Sequence, residues 1–503
     1  MKPTTPFANI LRASAKNLVS SFAPTLVFML SAVSGAAAEM PSPPREPVER
    51  TSVELRIGGV PTDGSICFEL KLSSVTAKAS NGRTTALVSN PLTVEIMHLA
   101  GDSEPVVLTS LPQGQYTDFV IAANGARVTS LDPLTGLLVA KQMSASYNTT
   151  IHFQPALSVD ANPIVLNLQV NPANIVNAVG VGNNGIRNLG QVFRIQATRL
   201  DASVQRKLAK RAADRIVGSV TNTSSGSLTL INGQTGAALT FRIDRNTRFH
   251  NAGLSTLHGL IVAVRGRADD AGLLVASDVE ALENANGVVA NGVASGYIPD
   301  SNLVTLASQD GAGSGMKSSI VGSGISVDPS QNPNFVVDTQ DMDMTGLESL
   351  QFDANSLVLG QHVEVHSMRA IQRDSKGNVA RVAPETVRLE PQTLTGTVTN
   401  YQPGTTPGTF AFDLMFATNA SANVLNPFFY TMHVYQQRGT DMQNLPAGIS
   451  NGAAVRVWGL VFHSQLPDGS SSVKATRANA VRFLVRQQKE PAFIMVAGRI
   501  SAK

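Results

Sequence analysis

The stretch Gly259–Leu282, "GLIVAVRGRADDAGLLVASDVEAL", holds a glycine, a Val-x-Val pair, a short polar turn and a second apolar run. Strand alternation puts Val262 and Val264 on an inner face and Arg265 on an outer one, and "RADDAG" reverses the chain. We read it as the closing hairpin of a small β-barrel. The pattern returns in "LGQHVEVHSMRAIQRDSKGNVARVAPETVRL" from Leu359 and in "NGAAVRVWGLVFHSQLPDGSSSVKATRANAVRFL" from Asn451. Gly259, Gly360 and Gly452 each precede a Val-x-Val pair by three residues, and Gly218, Gly292 and Gly396 open the segments that these hairpins close. A period near a hundred residues is too long for a solenoid and long enough for a unit with its own small core. The expected units are residues 215–284, 288–390 and 392–485, followed by a tail at 486–503. Their outer positions vary, with Arg265, His366 and Trp458 at matching places. These three are the candidate surface-contact residues.

Upstream, residues 51–174 read as strand after strand. "SVELRIG", "ICFELKLSSVTAKA", "LTVEIMHL", "YTDFVIAA", "TTIHFQPAL" and "PIVLNLQV" are each bounded by Gly, Pro, Asn or Ser. This spacing predicts an antiparallel sandwich. In "LPQGQYTDFVI", Pro112 and Gly114 suit a tight turn and Tyr116 starts the next strand. Residues 175–214 join the two regions. They hold the Gly/Asn-rich "NAVGVGNNGIRNLGQ" and then "TRLDASVQRKLAKRAADRI", in which Leu200, Val204, Leu208 and Ala212 stand at helical spacing. A short amphipathic connecting helix is expected there. The whole is an all-β chain: an N-terminal antiparallel β-sandwich, then three tandem small β units.

The 503 residues are too many for one core, and 43% hydrophobic against 15% charged residues is a globular balance. A net charge of +3 gives no electrostatic case for a nucleic-acid partner. At the N-terminus, Lys2, Arg12 and Lys16 precede an apolar run from Leu18 to Val33, and Ala36 and Ala38 offer a small-residue cleavage site. That is the pattern of a secretory signal peptide over residues 1–38, with the Pro-rich residues 39–50 as a linker behind it. The expected location is periplasmic or extracellular, with no membrane span after cleavage. The single cysteine, Cys67, allows no internal disulfide and reads as a buried, inert thiol.

Motifs for chemistry are sparse. No Gly-x-Ser-x-Gly elbow, P-loop or dinucleotide fingerprint is present. Ser314 and Lys317 form a Ser-x-x-Lys, but in a Gly/Ser loop with no later Lys-Thr-Gly. His362, Glu364 and His366 lie on one face of a strand. The two histidines there would be about 13 Å apart, too far to share one metal ion. That face is expected to be solvated. Asp338, Asp341, Asp343 and Glu348 are acidic without calcium-loop spacing. Catalytic, metal and cofactor residues are therefore expected to be none.

The segment 51–174 resembles an uncharacterised family of secreted bacterial domains that look like transthyretin-type sandwiches. The residues that carry this are "ICFELKLSSVTAKASNG", "LTVEIMHLAGDSEPVVLTSLPQGQYTDFVI" and "FQPALSVDANPIVLNLQV". The later units resemble a second domain-of-unknown-function family, in which small OB-like barrels recur in tandem. Both resemblances imply fold and export, not chemistry. The expected role is a structural or adhesive protein of the cell envelope, with envelope polysaccharide or a surface protein as partner. A carbohydrate- or polymer-binding array is the alternative reading, and a hydrolase with a site hidden from the sequence is a third.

Overall fold

The structure is a computed structural model. It describes residues 49–502 apart from 172–192, 200–215, 340–351, 416–430, 463–491 and a number of shorter segments. Strands carry most of the described residues, joined by turns, bends and short 3-10 segments.

The first region has ten strands: β1 (Arg50–Gly59), β2 (Cys67–Ala79), β3 (Thr84–Val88), β4 (Leu92–Glu95), β5 (Ser103–Pro112), β6 (Gly114–Leu131), β7 (Leu138–Met143), β8 (Tyr147–Val159), β9 (Ile164–Val170) and β10 (Phe193–Arg199). One sheet has the order β10-β9-β1-β5. The other has the order β3-β2-β6-β7, with β4 also on β2 and β8 also on β6. Their apolar faces share one core, in which Val53, Leu55 and Ile57 of β1 join Phe68, Leu70 and Phe119. The β1–β9 pairing is parallel, so this region is not purely antiparallel. At the expected turn, β5 ends on Pro112 and β6 begins on Gly114. The buried Tyr116 hydroxyl donates to the Pro112 carbonyl at 2.8 Å, which satisfies a polar group that burial would otherwise penalise.

The next strands are β11 (Ile216–Ser224), β12 (Ser227–Asn232), β13 (Ala238–Arg242), β14 (Arg248–His250), β15 (Leu260–Ala268) and β16 (Leu274–Asn284). They run in the order β13-β12-β11-β15-β16-β14, and a β13–β16 pairing closes the sheet into a small barrel. Val220, Leu230, Phe241, Val262, Val264 and Val279 fill it. The quoted hairpin is thus β15–β16, with Val262 and Val264 inward as read. Gly266 lies inside β15. It sits at a bulge within the strand, where a Cβ would come within 2.9 Å of the Phe241 ring.

An eight-stranded sheet follows: β17 (Val288–Tyr297), β18 (Val304–Gly313), β19 (Gly324–Val327), β20 (Asn334–Val337), β21 (His362–Ser367), β22 (Gln372–Arg373), β23 (Val379–Val382) and β24 (Thr386–Leu389). The last sheet has β25 (Gln392–Thr399), β26 (Phe410–Met415), β27 (Thr431–Gln436), β28 (Asp441–Gln443), β29 (Ala454–Phe462) and β30 (Ala492–Ala502). Its order, β27-β26-β25-β29-β30-β28 with a β27–β30 closure, follows the pairing scheme of the small barrel.

The glycines explain why the sequence pattern recurs. Gly218 pairs with Val262, Gly292 with Val363 and Gly396 with Val455. Gly259, Gly360 and Gly452 have φ of 77°, 92° and 86°, a conformation that L side chains rarely adopt. Their N–H groups donate to the carbonyls of Val220, Ala294 and Val398 at 3.1, 2.7 and 2.8 Å. A Cβ on Gly218 would lie 2.4 Å from the Ile231 oxygen, and one on Gly292 would lie 2.0 Å from the Ala307 oxygen. Gly259, Gly360 and Gly452 therefore fix turns, and Gly218 and Gly292 also allow a close approach between strands.

Two expectations need correction or qualification. The residues from Ala492, read as a tail, form β30, which pairs along β29. The chain reaches that second arm later than the apolar run "AVRFL" suggests, and "AVRFL" itself lies outside the described residues. Of the expected connecting helix over 198–216, residues 200–215 lie outside them, while Thr198 and Arg199 end β10 and Ile216 begins β11, so the stretch read as a linker carries a strand.

Candidate functional site at the seam of two sheets

The outer faces of β15–β16 and of β20, β21 and β24 meet along a charged seam. On β16, alternation turns Val279 inward and Asp278 and Glu280 outward. On β24, Val387 and Leu389 face the core and Arg388 faces away. Arg388 meets Glu280 with two guanidinium nitrogens at 2.9 and 2.6 Å. Its Nε is 4.0 Å from Glu364 Oε1, and the same carboxylate lies 2.7 Å from His366 Nε2. Arg265 of β15 reaches Asp338, just past β20, at 3.6 Å. Asp278 takes Arg248 at 2.8 Å and His250 at 3.4 Å. Partial burial alone would raise Asp278. Hydrogen bonds from Arg248, His250 and Ser277 outweigh it and hold the carboxyl below the usual range.

These groups line an open cleft of about 300 Å³, to which Arg265, Arg388, Asp278, Glu280, Asp338 and His250 contribute. With guanidiniums and carboxylates interleaved, its walls carry little net charge and many donors and acceptors. Such a site can hold a neutral polar group.

The structure redistributes the three predicted contact residues. Arg265 is half-buried and lines the cleft. His366 is not on a solvated face. It is 5% exposed, and all six residues of β21 are buried. The alternation was read correctly, with His362, Glu364 and His366 sharing a side, but their strand lies in the middle of the assembled sheets. Trp458 of β29 is half-buried and packs against the core of the eight-stranded sheet, beside Leu460 and Phe462. It is a packing residue there and not an open aromatic platform.

Cys67 is buried, and its thiol points to the Ser308 carbonyl at 3.4 Å. Ser314, Lys317, Asp341, Asp343 and Glu348 lie outside the described residues. Among the described residues, no group of three or more His, Cys, Asp or Glu side chains is placed to hold a metal ion. No helix among them is long and apolar enough to cross a membrane. Sequence reasoning missed Glu280 and Arg388. Each is a lone charge on the outer side of a strand, and only the fold reveals that the two outer sides face each other.

Comparison with known proteins adds one match. Residues 217–280, the small barrel, match a family model described as Domain of unknown function (DUF5666). No curated protein matches the chain. The barrel that holds the quoted hairpin is therefore similar to a domain of unknown function, and that family model reaches no further than Glu280.

Proposed function

We propose that the chain is an exported, non-enzymatic β scaffold of the bacterial envelope that works through its surfaces. One observation carries this reading: the ionisable side chains that converge on the seam neutralise one another across sheets, with Arg388 on Glu280 and Arg265 on Asp338. They join modules instead of being held apart for chemistry. On this reading the strands from β11 onward form three tandem copies of one OB-like unit behind a transthyretin-like sandwich. The equivalent glycine registers support that division. Residues 1–38 serve as the export signal.

The test is a pull-down of the chain, without residues 1–38, against envelope polysaccharide and envelope surface proteins. Specific capture of either supports the reading. Turnover of a polysaccharide or ester substrate by the purified chain would overturn it.

A second reading has its own observation. The near-neutral, donor- and acceptor-rich cleft suits a polyhydroxyl ligand, so a carbohydrate- or polymer-binding role would act there and not at Trp458. A glycan array with no hits, for the wild type and for Arg265→Ala alike, removes it.

A further inference from the structure

Ionisable groups also lie buried where the sandwich region meets β18. His98 sits in the 3-10 turn Met97–Leu99 between β4 and β5. Its Nδ1 is 3.1 Å from Glu95 Oε2 and its Nε2 is 3.7 Å from Glu104 Oε2. Both carboxylates are buried, and Glu95 also accepts the backbone N–H groups of Phe68, Met97 and His98. Asp310 of β18 is buried within the electrostatic reach of His98 and Glu104, and its Oδ1 accepts the Gly311 N–H at 2.6 Å. Around Asp310, β18 is fastened to β2 and the residue before it. Gln309 donates to the Ile66 carbonyl at 2.6 Å, and the Cys67 thiol points to Ser308. From further elements, Glu364 of β21 bears on Asp310, and Arg56 of β1 is held by Glu54 and Ser103. Lys71, Arg127 and Glu95 bear on Glu69 of β2.

We propose that this joint is a pH-sensitive device: the turn at His98, held by Glu95 and Glu104, packs on β18 in mild acid and releases it as pH rises. The geometry sets the sense. Glu95 and Glu104 hold the one imidazole and Asp310 is buried close by, so acidic groups outnumber the single cation and each proton lost leaves one more negative charge in the joint.

Burial pushes Asp310 from an ordinary 3.8 up to about 6, with His98 opposing the rise and Glu104 adding to it. The folded joint therefore keeps this carboxyl neutral where the unfolded chain has already ionised it. Stability falls as pH climbs from about 4 through about 6. For His98, burial disfavours the imidazolium, yet Glu104 and Glu95 together hold it well above 6.5. Its contribution is complete below that ordinary value and is lost as pH rises through the higher folded one. Both groups work in the same direction.

The test is amide hydrogen exchange on the full chain from pH 5 to pH 9, corrected for the intrinsic rate. Protection in β18 and in the turn should fall roughly tenfold to a hundredfold more than protection in β11–β16. Asp310→Asn keeps the acceptor for Gly311 and should abolish the part of the change near pH 6. Glu104→Gln should bring the alkaline part to lower pH. Protection in β18 that tracks β11–β16 at every pH would overturn the proposal. So would a wild-type profile in both variants. If Asp310→Asn fails to fold, the Glu104→Gln profile alone decides between the two results.

Discussion

Arg388 closes on Glu280 with two guanidinium nitrogens, at 2.9 and 2.6 Å, from strands in different sheets. The same guanidinium lies 4.0 Å from Glu364, a carboxylate with no exposure of its own. Removing the arginine takes the two-pronged cation from Glu280 and the neighbouring guanidinium from Glu364, which keeps His366, and a buried carboxylate that loses a cation is costly. Arg388→Ala should destabilise the fold by about 2–4 kcal/mol in denaturant unfolding. Glu280→Gln should cost less, about 1 kcal/mol, because Arg388 keeps Glu364. Equal costs for the two variants would mean that Glu364 does not depend on Arg388.

The glycine pairs make a graded set. Gly259, Gly360 and Gly452 share a positive φ, and a Cβ on Gly259 or Gly452 would meet nothing within 4 Å. Alanine at Gly259 or Gly452 should therefore lose only the backbone contribution, about 1–2 kcal/mol, and by similar amounts. Gly218→Ala and Gly292→Ala should cost more, since their Cβ atoms would meet carbonyl oxygens at 2.4 and 2.0 Å. Midpoint shifts in urea for the four variants check both the similarity and the ranking.

Trp458 is the chain's one tryptophan, so intrinsic tryptophan emission reports on a single contact. Packed against the core beside Leu460 and Phe462, it should emit at shorter wavelength than free indole and resist aqueous quenchers. Trp458→Ala should destabilise by about 3 kcal/mol, an amount set by lost packing. Emission like that of a solvent-exposed indole would place the ring outside the core.

The Gly259–Leu282 hairpin was legible because its signal is local. A period of two, a glycine three residues before Val-x-Val and a polar turn all lie within one stretch. The Pro112–Tyr116 corner was legible for the same reason. The seam was not. Arg388 and Glu280 are 108 residues apart, and each stands on the outer side of a strand that looks complete by itself. His366 shows the limit most sharply. Alternation assigns it an outward direction, but outward from one sheet is inward to the assembly. Alternation fixes a side chain's face, and only tertiary contact decides whether water reaches it. The parallel β1–β9 pairing and the late arrival of β30 are long-range choices of the same kind.

Asp328 offers a pH prediction separate from the His98 joint. Its side chain accepts the Ser330 N–H and hydroxyl, and Arg381 of β23 lies 2.8 Å away. Burial alone would raise its carboxyl, but the Ser330 and Arg381 contacts outweigh it and lower the pKa below the ordinary 3.8. The folded state thus binds this proton less readily than the unfolded chain does. The stability it adds is present above about pH 4 and drains away as pH falls toward the depressed folded value. Asp328→Asn should flatten the acid limb of the stability profile and leave the alkaline limb untouched. At high salt the wild-type acid limb should shrink but persist, because Arg381 is partly exposed and screened while the Ser330 hydrogen bonds are not. A stability profile from pH 2 to pH 6 at two salt concentrations checks both, and an unchanged acid limb in Asp328→Asn would assign that loss to other carboxylates.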